Sequence, residues 1–85
     1  EERMKEYITI GNGIQKRENQ IAELVQIACR YESKVYLEDE ARKINAKSIM
    51  GMMAFKLNSG KELAIVAEGS DEKEAVKGME QYLVV

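Results

Sequence analysis

This chain contains no histidine, and that absence excludes more than any single residue establishes. No imidazole is available as a general base, a nitrogen nucleophile or a metal ligand. One cysteine, Cys29, stands alone, so neither an internal disulfide nor a zinc site of the usual kind is expected, and no cofactor is implied. A lone thiol suits a reducing cytosol. Proline is absent as well. The longest apolar runs reach about five residues, against the roughly 20 that span a bilayer. No charged-then-apolar leader opens the sequence, so a cytoplasmic location away from membranes is expected. Thirteen Lys and Arg against 15 Asp and Glu leave a net charge of -2, so no strong field recommends nucleic acid as a direct partner.

What is present fits one small α+β domain over residues 1–85, long enough for a single core. Met4 to Ile10 reads as a strand, because Tyr7-Ile8-Thr9-Ile10 is rich in β-formers and Gly11-Asn12-Gly13 stops it. Ile21, Leu24, Val25 and Ala28 recur at helical spacing, with Asn19 placed to cap that helix. Cys29 falls beside the stripe and reads as a small buried hydrophobe. Val35-Tyr36-Leu37 between Lys34 and Glu38, then Arg42 to Asn45, predict a hairpin across a polar turn.

A short helix is predicted to start at Ser48 and end near Leu57, before Asn58-Ser59-Gly60. Leu63, Ile65 and Ala67 alternate along a fourth strand whose outward side, with Ala64 and Val66, is not fully polar. A last helix carries Ala75, Val76, Met79, Tyr82 and Leu83 on one stripe. Asp71 and Glu74 have the spacing of a capping box, and Ser70 is an alternative cap. Gly78 weakens that helix by roughly 1 kcal/mol relative to alanine. The order β-α-β-β-α-β-α calls for a four-stranded antiparallel sheet covered on one face by three helices.

The most specific stretch is Asn45-Ala46-Lys47-Ser48-Ile49-Met50-Gly51-Met52-Met53. It resembles the regulatory-serine region of the HPr/Crh family, the phosphocarrier HPr of the bacterial sugar phosphotransferase system and its paralogue Crh. Leu24-Val25-Gln26 with Tyr31, Val35 to Glu38, Gly60-Lys61-Glu62 and Gly69 to Glu72 are similar to other family segments, so the resemblance covers nearly the whole chain. It implies the open-faced β-sandwich of that family.

The departure lies in the loop that bears the family's phosphorylated histidine. The family pattern is glycine, aliphatic, histidine, any residue, arginine, proline. Here it reads Gly13-Ile14-Gln15-Lys16-Arg17-Glu18, which resembles Crh through Arg17 and then replaces the proline by Glu18. Counting back without gaps from the first helix puts the histidine position at Arg17. Matching the glycine-aliphatic-glutamine run puts it at Gln15, with two extra residues before Ile21. Neither a glutamine amide nor a protonated guanidinium can take a phosphoryl group as a nitrogen nucleophile. Glu18 reads as a favourable charge near a helix N-terminus, and Lys16 and Arg17 as a basic spot.

By resemblance, Ser48 is the residue phosphorylated by an ATP-dependent HPr kinase/phosphorylase-like enzyme, and Ile49, Met50 and Met53 match an apolar docking patch, with Lys47 adjacent. Met52 and Phe55 are expected to face the sheet. The resemblance implies a non-enzymatic regulator of carbon catabolite repression, acting on a LacI-type catabolite regulator through the patch and the Arg17 loop. Two alternatives stand beside it: a module that kept the fold and lost both phosphorylation chemistries, and a phosphocarrier using a residue other than histidine.

Overall fold

A computed structural model describes residues 3–85. The strands are β1 (Met4–Thr9), β2 (Lys34–Glu38), β3 (Lys43–Asn45) and β4 (Glu62–Glu68). The helices are α1 (Gln20–Cys29), α2 (Ile49–Met53) and α3 (Glu72–Leu83), and a 3-10 turn occupies Asn12–Lys16. The sheet runs β1-β4-β2-β3 with every neighbouring pair antiparallel. The predicted order and sheet are therefore present, with the 3-10 turn as an unforeseen addition.

Alternation decides which side of the sheet is packed. Ile8, Val35, Leu37, Leu63, Ile65 and Ala67 are buried in one core with Leu24 and Ala28 of α1, Met52 of α2 and Met79 and Leu83 of α3. The uncovered face is closed by its own side chains. Ala64 and Val66 point that way yet are only 2% and 0% exposed. Register places Lys5 and Tyr36 on either side of Val66, and Tyr7 and Glu38 on either side of Ala64. The Lys5 Nζ–Glu38 Oε1 ion pair, 2.7 Å long, thus crosses over β4. It raises the Lys5 pKa and lowers that of Glu38, each through the hydrogen bond between them.

Three local expectations are corrected. Asn19 holds the N-cap position of α1, but its side chain makes no capping bond. Cys29 is exposed rather than buried. At 3.6 residues per turn, Cys29 lies roughly 90° from the centre of the stripe made by Ile21, Leu24, Val25 and Ala28. The capping box of α3 is not formed either. Asp71 holds the cap position without a capping bond. Its carboxylate instead accepts the Glu32 and Ser33 amides at 2.9 and 3.0 Å and the Ser33 hydroxyl. Glu72, not Glu74, reaches back to the Gly69 amide at 3.2 Å. Ser33 is 1% exposed, so Asp71 satisfies a polar group that burial would otherwise penalise.

α2 is shorter than predicted, ending at Met53 rather than near Leu57. Phe55 and Leu57 are both buried. Residues two apart point to opposite sides of a helix but to the same side of extended chain, so burying both requires the helix to stop. Gly78 has a packing reason. A Cβ there would collide with the Tyr31 hydroxyl, so the missing side chain makes room for that ring against α3.

The Asp71 contacts set an acid limit. The Ser33 hydroxyl first, and the Glu32 and Ser33 amides after it, hold the Asp71 carboxyl below its usual range. A carboxylate with a depressed folded pKa contributes stability that is complete above its unfolded pKa, about 3.9, and is lost as pH falls through the folded value. Asp71→Asn should therefore melt lower than the wild type at pH 7, and the gap should close below about pH 4. Thermal melts across that range check it.

Candidate functional site

The site is built on the first turn of α2. Ser48 is extended and partly buried, and its Oγ accepts the Gly51 amide at 3.1 Å. This is the cap expected from the sequence, and it satisfies one donor that the helix cannot satisfy itself. Asn45 Oδ1 accepts the Lys47 amide at 2.9 Å, which turns the chain out of β3 and into the cap. The other end of α2 is closed by Arg42, whose Nη1 donates to the Ala54 carbonyl at 3.0 Å. A cation at a helix C-terminus is favourable, and sequence spacing gave no sign of this one.

Five residues cannot bury every side. Met52 is fully buried, as predicted, and Phe55 follows it into the core. Ile49, Met50 and Met53 are 52%, 84% and 69% exposed. Among the described residues the other exposed large hydrophobics are Tyr7, Val84 and Val85, so three of the six come from one short helix. A rimmed apolar patch of this kind suits contact with another protein.

The rim is cationic. Between Glu40 and Glu62 the chain has five Lys and Arg residues and no Asp or Glu, although the whole chain is net negative. Reading motifs one at a time passed over this run, and counting charge by segment would have found it. Four of the five are engaged: Arg42 at the Ala54 carbonyl, Lys43 over the Tyr36 ring at 4.5 Å, and Lys47 and Lys61 as follows. Lys47 donates through Nζ to the Tyr31 carbonyl at 2.7 Å and is half-buried. Lys61 pairs with Asp39 at 3.2 Å and lies over the Phe55 ring.

The loop with the histidine position is a second, separate place. Ile14 is wholly buried and anchors the 3-10 turn, while Gln15, Lys16 and Glu18 are exposed. Gln20 Nε2 donates to the Ile14 carbonyl at 2.6 Å, and the Gly11 and Gly13 amides donate to the Leu83 and Val85 carbonyls at 2.8 and 2.6 Å. α1 begins only at Gln20, so Glu18 and Asn19 form the link to it. Gln15 sits on the 3-10 turn, five residues ahead of α1.

Arg17 does not point at that helix end as a free cation. Its guanidinium lies 4.0 Å from the centre of the Tyr82 ring, and the Tyr82 hydroxyl donates to Glu23. Burial, and then Glu23 as acceptor, raise the Tyr82 pKa. The structure thus brings Ser48, Ile49, Met50 and Met53 together and ties Arg17 to α3. No described hydrogen bond or ion pair joins the loop to Ser48. Among the described residues no cluster of metal-ligating side chains occurs, and no helix is long and apolar enough to cross a membrane.

Comparison with known proteins finds relatives along most of the chain. Crh of Bacillus subtilis is 40% identical over 76 residues, which cover 89% of this chain and 87% of that protein. Phosphocarrier protein HPr of Treponema pallidum is 45% identical over 58 residues, covering 68% of this chain and 66% of that one. Among solved structures, a phosphocarrier protein HPr from Bacillus anthracis superposes with a TM-score of 0.86 at 28% identity, covering 95% of this chain and 96% of that one. The solution structure of Crh from Bacillus subtilis gives 0.72 at 38% identity, covering 96% and 95%. A family model, PTS-HPr, described as the PTS HPr component phosphorylation site, matches residues 5–84, and the chain accordingly belongs to the HPr/Crh family of the phosphotransferase system.

Proposed function

We propose that this chain is a regulatory member of its family, switched by phosphorylation of Ser48 and acting by protein binding rather than by carrying a phosphoryl group on the loop. The observation that supports this most is a serine cap set directly beside three exposed apolar side chains. A phosphoserine brings nearly two negative charges and three acceptor oxygens. Placed at Ser48 it meets first-turn amides and a segment whose charges are all cations. The fold is expected to survive the modification while the potential beside Ile49, Met50 and Met53 changes sharply.

An HPr kinase/phosphorylase-like enzyme would write the mark, and a LacI-type catabolite regulator would read it in carbon catabolite control. The loop would contribute shape through Gln15, Arg17 and Glu18 and no chemistry, because none of the three is a nitrogen nucleophile. The chain would then have no catalytic activity of its own.

Calorimetric titration of such a regulator with phosphorylated and unmodified protein tests the reading. One to three new charge-assisted hydrogen bonds should tighten binding by about tenfold or more. Since exposed charges are screened by salt, the difference should narrow as ionic strength rises. Equal affinity of the two forms would instead favour a module that kept the fold and lost the switch.

A further inference from the structure

We propose that Met50 and Met53 form a peroxide-sensitive site whose oxidation to the sulfoxide disables the α2 patch. This rests on the docking reading of Ile49, Met50 and Met53. The chain has five methionines, and the structure divides them sharply. Met52 and Met79 are 0% exposed, and Met4 is partly buried against the core. Met50 and Met53 are 84% and 69% exposed. They stand three positions apart on one helix, so their side chains are neighbours on a single face. Both lie on the helix that Ser48 caps.

The chemistry needs one co-reactant, hydrogen peroxide. A sulfur lone pair attacks one peroxide oxygen, the S–O bond forms and the O–O bond breaks. The other oxygen leaves with its hydrogen and takes up the transferred proton as water. The thioether is oxidised by two electrons to the sulfoxide, and the peroxide is reduced to water. Two thiols reverse the step under methionine sulfoxide reductase, giving methionine, a disulfide and water.

The consequence follows from polarity. A thioether is a flexible apolar group suited to adaptable partner surfaces, whereas a sulfoxide is polar and chiral. In an apolar pocket of a partner its oxygen would be buried without a donor, which is unfavourable. The core is shielded, because Met52 and Met79 are enclosed. Oxidation therefore removes the surface contact and leaves the fold, which separates a reversible change of state from damage.

The test uses the Cys29→Ser protein, so that the exposed thiol does not consume peroxide. Peptide mapping during peroxide treatment should show Met50 and Met53 oxidised about tenfold faster than Met52 and Met79, with the melting curve unchanged. The probe of docking is the rate at which an HPr kinase/phosphorylase with ATP labels Ser48. That rate should fall about tenfold on oxidation and return after treatment with methionine sulfoxide reductase and dithiothreitol. Equal oxidation of all four methionines, or an unchanged labelling rate after full oxidation of Met50 and Met53, overturns the proposal. If unoxidised protein takes no phosphate, or Met50→Glu is labelled at the wild-type rate, the docking reading fails and the proposal with it. If Met50→Glu is slow while the oxidised protein is not, the proposal alone fails.

Discussion

Met50→Glu is expected to abolish binding to a LacI-type regulator while leaving the melting temperature within a few degrees of the wild type. Met50 is 84% exposed and contributes little to the core, and surface substitutions usually cost under about 0.5 kcal/mol. A glutamate in the first turn of α2 is, if anything, favourable to the helix. In a complex the same carboxylate would have to enter an apolar contact, and a buried unpaired charge is strongly disfavoured. Binding should be measured with the Ser48-phosphorylated protein at matched folded fraction. A large fall in melting temperature would show that Met50 packs into the core, and unimpaired binding would remove the patch from the account.

The second large effect is an absence. Phosphoenolpyruvate and enzyme I, under conditions that fully label an ordinary HPr, should transfer no acid-labile phosphoryl group to this protein. The chain has no imidazole to receive it. Gln15→His is expected to restore transfer poorly. The residue sits on a 3-10 turn five positions before α1, and Arg17 is held over the Tyr82 ring. Stoichiometric acid-labile labelling of the wild type would contradict the reading of the loop.

The sheet and helices were legible because their signals are local. Leu63, Ile65 and Ala67 alternate, and Ala75, Val76, Met79, Tyr82 and Leu83 recur at helical spacing, and all of them are buried as the patterns require. The Ser48 cap was legible for the same reason, since its acceptor and donor lie three residues apart. What escaped depended on partners distant in sequence. Asp71 was expected to cap α3, but Ser33, 38 residues away, competes for its carboxylate and wins. The chain between residues 54 and 57 was expected to remain helical, but the core demanded Phe55 and Leu57 together. Lys47 was legible only as a neighbour of Ser48, and its bond to the Tyr31 carbonyl 16 residues earlier was not. Arg42 and Ala54 are likewise joined across 12 residues. Cys29 is a different case: its helical angle was available from the sequence, and adjacency to the stripe was read as membership of it.

Mass spectrometry of protein treated with a family kinase and ATP decides whether Ser48 is the switch. One added phosphate, located at Ser48, is expected on the wild type and none on Ser48→Ala. Loss of the Gly51 cap should cost Ser48→Ala about 1 kcal/mol, so its folded fraction must be matched before the two are compared. Absence of phosphate on the folded wild type, under conditions that fully modify an ordinary HPr, would reduce Ser48 to a helix cap and contradict the account.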